Sequence, residues 1–83
     1  MSEGKGNPPV KKWRFGAVSV NVWKNSGEKG DYYTVDSQRG YKDRNGEWKN
    51  TGSLRLNDMP KAVLGINEAY KWILQNPLAK EGQ

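Results

Sequence analysis

Valines and polar residues alternate early in the chain. Over residues 13–24, Val18, Val20 and Val22 are separated by Ser19 and Asn21, and Trp23 follows in the polar phase. A period of two marks a strand with one buried face. The valines therefore point to a core, and Trp23 shares the opposite face with Ser19 and Asn21. Residues 25–30, Asn-Ser-Gly-Glu-Lys-Gly, read as a turn-rich connection. Residues 31–41 predict a second strand, with Tyr33 and Val35 on the buried face and Tyr32, Thr34, Asp36 and Gln38 opposite. Gly40 interrupts it; a glycine inside a strand often marks a bulge, and a bulge there would change the face of Tyr41. Asp43-Arg44-Asn45-Gly46 is a hairpin turn, because Asn and Gly tolerate positive φ. Residues 47–56 form the returning strand, kinked near Thr51-Gly52-Ser53, with Leu54 and Leu56 turned inward around Arg55. If Trp13 and Phe15 form a short strand of their own before Gly16, the sheet has four strands; otherwise it has three.

From Asn57 the period changes. Asn57-Asp58-Met59-Pro60 is a helix start: Asn and Asp accept from unpaired N–H groups, and proline is tolerated in the first turn. The helix should run to about Gln75, before Asn76-Pro77. At 100° per residue, Met59, Ala62, Val63, Ile66, Ala69, Tyr70, Ile73 and Leu74 share one broad apolar stripe, with Gly65 and Trp72 beside its edge. That is more apolar surface than one small sheet covers. Small residues allow close approach of another backbone, so Gly65, Ala69, Trp72 and Ile73 are the expected contact of a helix–helix dimer. The competing reading is that Trp72 caps the edge of the chain's own core. Strands followed by one helix place the chain in the α+β class.

The flanks look different. Residues 1–10 are rich in Gly and Pro with almost no apolar content and read as a disordered tail. Residues 77–83 read as a flexible C-terminus, leaving residues 11–76 as a single domain. Its small core would be helped by oligomerisation. There is no cysteine and no histidine. Disulfides, thiol chemistry, zinc sites built on these ligands and His-based acid–base catalysis are therefore excluded. No apolar run is long enough to span a membrane, and the first residues lack the apolar core of a signal peptide, so the expected location is intracellular. Asp36, Asp43 and Glu47 show no nucleophile–base pairing, and Asp43–Glu47 lacks most of a calcium loop. The expectation is a protein that is not an enzyme and needs no cofactor or metal.

Charge then narrows the partner. The net charge of +5 lies wholly within residues 11–57, where ten Lys and Arg face five Asp and Glu. Seven of the nine aromatic residues lie there too. Cations neutralise phosphates and flat rings stack on bases. Trp23-Lys24, Arg39, Tyr41-Lys42, Arg44 and Trp48-Lys49 interleave the two types, a pattern suited to single strands whose bases are free to stack. Arg14 and Arg55 add further cations. The competing reading is that these rings pack a core and the cations solvate a sheet.

Val18-Ser19-Val20, Tyr41, Asp43, Gly46-Glu47, Lys49 and Leu54-Arg55-Leu56-Asn57 leading into a helix occur in an order and spacing shared with a known family. Residues 17–57 resemble the single-stranded-DNA-binding domain of the transcriptional coactivator positive cofactor four. Whirly-type binders share that architecture in duplicated form. The resemblance implies a curved antiparallel four-stranded sheet and one long helix, with two subunits pairing through their helices. It implies base stacking by Trp23 and Tyr41 and basic contacts from Lys24 and Lys49. There are departures: residues 25–30 form a longer connection, Asn21 and Gln38 stand where the family carries basic residues, and the segment after Lys49 is shorter and less basic. Arg39, Lys42 and Arg44 are additional or shifted charges.

The sequence therefore predicts a homodimeric module that binds single-stranded DNA with little sequence preference, in replication, recombination, repair or transcription. Trp23 and Tyr41, with Trp48, would stack on bases. Arg14, Lys24, Arg39, Lys42, Arg44, Lys49 and Arg55 would meet phosphates. The alternatives are an RNA-binding module, since stacking and phosphate contacts do not read the 2′-OH, and a protein-interaction module that recruits an acidic partner.

Overall fold

The computed structural model describes residues 8–78. The expected N-terminal tail and C-terminal segment fall largely outside this range. Four antiparallel strands lie in sequence order: β1 (Lys11–Phe15), β2 (Val18–Gly27), β3 (Gly30–Lys42) and β4 (Trp48–Thr51). A 3₁₀ turn (Leu56–Asp58) leads into one helix, α1 (Met59–Gln75). This is an open α+β sheet with a single C-terminal helix, and Trp13 and Phe15 do form a separate strand.

Turn chemistry sets the register. Phe15 pairs with Val18, leaving the two-residue loop Gly16-Ala17. Gly16 has φ +64°, as the first position of a type II′ hairpin loop requires. Gly27 pairs with Gly30, so β2 and β3 continue through most of the expected connection and turn only at Glu28-Lys29. At the third hairpin, an Asp43 carboxylate oxygen accepts from the N–H groups of Asn45 and Glu47, both at 2.9 Å. Gly46, at φ +84°, closes that turn.

Two expectations about strand ends are corrected. Pairing runs unbroken across Gly40, from Val18–Arg39 to Gly40–Asn50 and Tyr41–Lys49, so β3 has no bulge there. Tyr41 therefore keeps the face of Val35, Ser37 and Arg39. The fourth strand stops at Thr51, short of Leu54 and Leu56, and Leu56 is exposed rather than turned inward.

The core is thin. Val18, Val20 and Val22 are fully buried beneath Ala62 and Ala69, with Trp13, Tyr33, Trp72 and Ile73 packed around them. The helix meets the sheet through its small residues. A Cβ on Gly65 would overlap Cγ2 of Val20 and lie 2.9 Å from its Cβ. The side chains expected at a subunit contact are thus turned inward: Gly65 and Ala69 are buried, and Trp72 stacks edge-to-face on Tyr33 with centroids 5.6 Å apart. Small residues on one helix side let the backbone sit close over three β-branched side chains, and that fit selects the face.

Both helix ends are tied to β3. At the start, Asp58 accepts from the Arg55 N–H at 2.8 Å and pairs with Arg39 Nε at 3.2 Å. At the end, the Tyr33 hydroxyl donates to the Asn76 carbonyl at 2.7 Å, and Asn76 Nδ2 donates to the Trp72 carbonyl at 2.8 Å. Arg39 and Tyr33 are ~20 Å apart along a strand, comparable to the ~25 Å length of a 17-residue helix. The helix therefore runs antiparallel along β3.

Candidate nucleic-acid interface

The burial of the even-numbered valines fixes the rest of the sheet. Cross-strand partners point to the same side. Lys11, Trp13 and Phe15 of β1 and Tyr33, Val35, Ser37, Arg39 and Tyr41 of β3 therefore share the helix side. The opposite side carries Lys12 and Arg14 from β1; Ser19, Asn21, Trp23 and Asn25 from β2; Tyr32, Thr34, Asp36, Gln38, Gly40 and Lys42 from β3; and Trp48 and Asn50 from β4.

This outer side is a trough. A depression of about 400 Å³ is lined by Lys12, Arg14, Asn21, Trp23, Gln38 and Asn50 among others. A second, of about 320 Å³, continues it to Trp48 and shares Arg14, Gly40 and Asn50 with the first. Its floor is made of short polar side chains and Gly40, with a tryptophan at each end. Trp23 lies opposite Thr34 and Trp48 opposite Lys42, so eight residues of β3 separate the rings, or ~26 Å. Trp48 is 71% exposed, with the Lys42 ammonium 5.6 Å from its ring centroid.

Ion pairing separates the two faces further. On the helix side, Lys24 pairs with Asp31 at 3.7 Å, Arg39 with Asp58 at 3.2 Å and Lys49 with Asp43 at 3.6 Å. On the trough side, Lys12, Arg14 and Lys42 have no acidic partner among the described residues. Asp31 and Asp43 of the strand region are thus engaged by cations facing the helix, Asp36 is the one acid among the outward strand residues, and the trough keeps an excess of positive charge.

The structure accordingly brings together Arg14, Trp23, Lys42 and Trp48 of the residues expected to bind. Lys24, Arg39 and Tyr41 lie on the helix side, with Arg39 Nε also donating to the Ser53 carbonyl at 3.3 Å and its guanidinium 5.7 Å from the Tyr41 ring. Lys49 points to Asp43 while bordering the second depression. Arg44 sits in the hairpin turn and Arg55 before the helix, both exposed. Lys12, Ser19, Asn21, Gln38 and Asn50 were missed as trough residues. The signal for them was the valine alternation extended through cross-strand register, which places whole rows and not only Trp23.

The second exposed surface is on the helix. Met59, Val63, Ile66, Tyr70 and Leu74 are each between 46 and 62% exposed, at steps of four, three, four and four residues. The first four follow the alternating three- and four-residue steps of a coiled-coil seam, and Leu74 lies one residue past the next step. Among the described residues no helix is long and apolar enough to cross a membrane. No family model, curated protein or solved structure matches this chain.

Proposed function

We propose that the trough binds single-stranded DNA, through base stacking on Trp23 and Trp48 and phosphate contacts from Lys12, Arg14 and Lys42. The observation that carries this reading is two tryptophans bounding one polar channel whose cations lack acidic partners. A duplex presents no free base faces to such rings, whereas a single strand does. The ~26 Å between the rings spans about eight nucleotides at the ~3.4 Å per nucleotide of a stacked strand. Stacking and phosphate contacts operate on any sequence, so affinity is broad. Such activity serves processes that expose single strands, namely replication, recombination, repair or transcription.

The exposed helix seam supports a homodimer, through Met59, Val63, Ile66, Tyr70 and Leu74 in place of the residues first expected. A second copy offers the same spacing and can interdigitate with it.

Titration with short oligonucleotides at several salt concentrations tests the binding reading. Tryptophan emission should be quenched, and affinity should fall along a log–log line of slope ~−0.7 per neutralised phosphate. Equal or tighter binding to a duplex of the same sequence would refute it. Competition with a matched RNA decides between the two nucleic acids.

A further inference from the structure

One row of the trough is chemically unlike the rest. Lys12, Asn21 and Asp36 lie side by side across β1, β2 and β3. Asn21 is only 6% exposed, and its Nδ2 donates to Asp36 Oδ1 at 2.9 Å. That bond fixes the amide, and one carboxylate of the strand region remains on the trough side with no cation beside it. No ion pair joins Asp36 to any described residue. A phosphate would be repelled there. A base edge carrying N–H donors would not be.

The same row sets the direction of a bound strand. The outward cations of β1, Lys12 and Arg14, stand on one side. The outward residues of β3 from Tyr32 to Gln38 include no cation. Along these rows phosphates therefore follow β1 and bases reach across β2 toward β3, and the backbone meets Lys42 only beyond Gly40. The buried Asn21 amide already donates to Asp36 Oδ1, so it holds the carboxylate in place, and a base laid over this row meets acceptor oxygens alone. Guanine is the base whose pairing edge offers two adjacent donors, N1–H and N2–H, to such a pair. Thymine offers acceptor, donor, acceptor, and its last oxygen would face a carboxylate.

We infer that Asn21 and Asp36 form a guanine-reading position within the trough, which adds a base preference at one point of an otherwise sequence-tolerant strand. This rests on the binding reading above. A carboxylate accepting from two N–H groups and held by a neighbouring amide is a two-point contact of the kind that discriminates between bases by roughly five- to a hundredfold.

The test uses the full chain and a twelve-residue thymine oligonucleotide, compared with versions carrying one interior guanine or one interior inosine. A single guanine avoids self-association of the probe. Wild-type protein should bind the guanine oligonucleotide at least about fivefold more tightly than the thymine one. Inosine, which lacks the 2-amino group, should fall between them. Asp36→Asn should abolish the guanine preference and tighten binding of the thymine oligonucleotide, because a negative charge is removed. Equal affinity for all three probes, or a preference that survives Asp36→Asn, would overturn the inference and leave the binding reading standing. No binding to any of the probes would overturn both.

Discussion

Gly65→Ala decides which helix face meets the sheet, and so which face is free for a partner. In an exposed helix this change gains about 1 kcal/mol, because glycine carries the larger backbone entropy. Here the new Cβ would overlap Val20 Cγ2, lie 2.9 Å from Val20 Cβ and come within 3.5 Å of Phe15 Cε2. Val20 is fully buried and β-branched, so it has no free rotamer into which to retreat. Forcing one methyl into such a site costs about 1–3 kcal/mol. The net expectation is a loss of up to about 2 kcal/mol, against a gain of a few tenths for Asn67→Ala on the exposed side. Urea unfolding followed by circular dichroism, at fixed protein concentration because a dimer's stability depends on it, measures both. Val20→Ala supplies the control. If the overlap is real, the double variant Val20→Ala/Gly65→Ala should be more stable than the sum of the single changes by at least about 1 kcal/mol. A stabilisation of about 1 kcal/mol by Gly65→Ala alone, with no coupling to Val20, would show that the small-residue face does not lie on the sheet.

The remaining tests divide by surface. Trp23→Ala and Trp48→Ala should each weaken oligonucleotide binding by roughly 1–3 kcal/mol with circular dichroism unchanged, and Lys12→Ala or Arg14→Ala should reduce the salt slope by about 0.7. Gly40→Val should block the middle of the trough without strain, because a Cβ there meets nothing closer than Asn50 Oδ1 at 3.7 Å; a folded variant that still binds at full affinity would place the strand elsewhere. Asp58→Ala removes the buried carboxylate that Arg39 Nε and the Arg55 N–H share, and should cost ~2–3 kcal/mol in urea unfolding. Removing the exposed Lys24–Asp31 pair should change stability by less than about 0.5 kcal/mol. Val63→Glu with Ile66→Glu should turn a dimer into a folded monomer in sedimentation; a wild-type monomer at micromolar concentration would remove the seam's proposed role.

Much of the fold was legible because local signals agreed with each other. The valine alternation, the glycines at turns and the proline near the helix start each have one economical solution, and the sheet and helix follow from them. The helix face was harder to read. Periodicity groups apolar residues by angle, and Val63, Ile66, Tyr70 and Leu74 outrank Gly65, Ala62 and Ala69 in hydrophobicity. Packing ranks them in reverse, because closely set valines accept a smooth helix surface better than a bulky one. Tyr41 was misplaced by a related limit. A glycine permits a bulge, but only the register across Gly40 shows that none is needed. The trough floor could be read once Trp23 was assigned to the polar phase, yet polar residues between strands carry no signal of their own until their cross-strand neighbours are known.

The excess of positive charge looked at first like a property of a segment, and in three dimensions it is a property of a face. Asp31, Asp43 and Asp58 each engage a cation pointing to the helix side, and two of these contacts hold a turn or the helix start in place. Cations on that side are therefore committed to the fold itself. Lys12, Arg14 and Lys42 are not, and their register rows join them to amides and tryptophans instead. Mutating the two sets should have opposite signatures. Loss of the first should appear in unfolding, most strongly at Arg39, and loss of the second in affinity and its salt dependence. If Arg14→Ala and Lys42→Ala instead destabilise the fold while leaving oligonucleotide affinity unchanged, the trough's charges are structural and the single-strand reading fails with them.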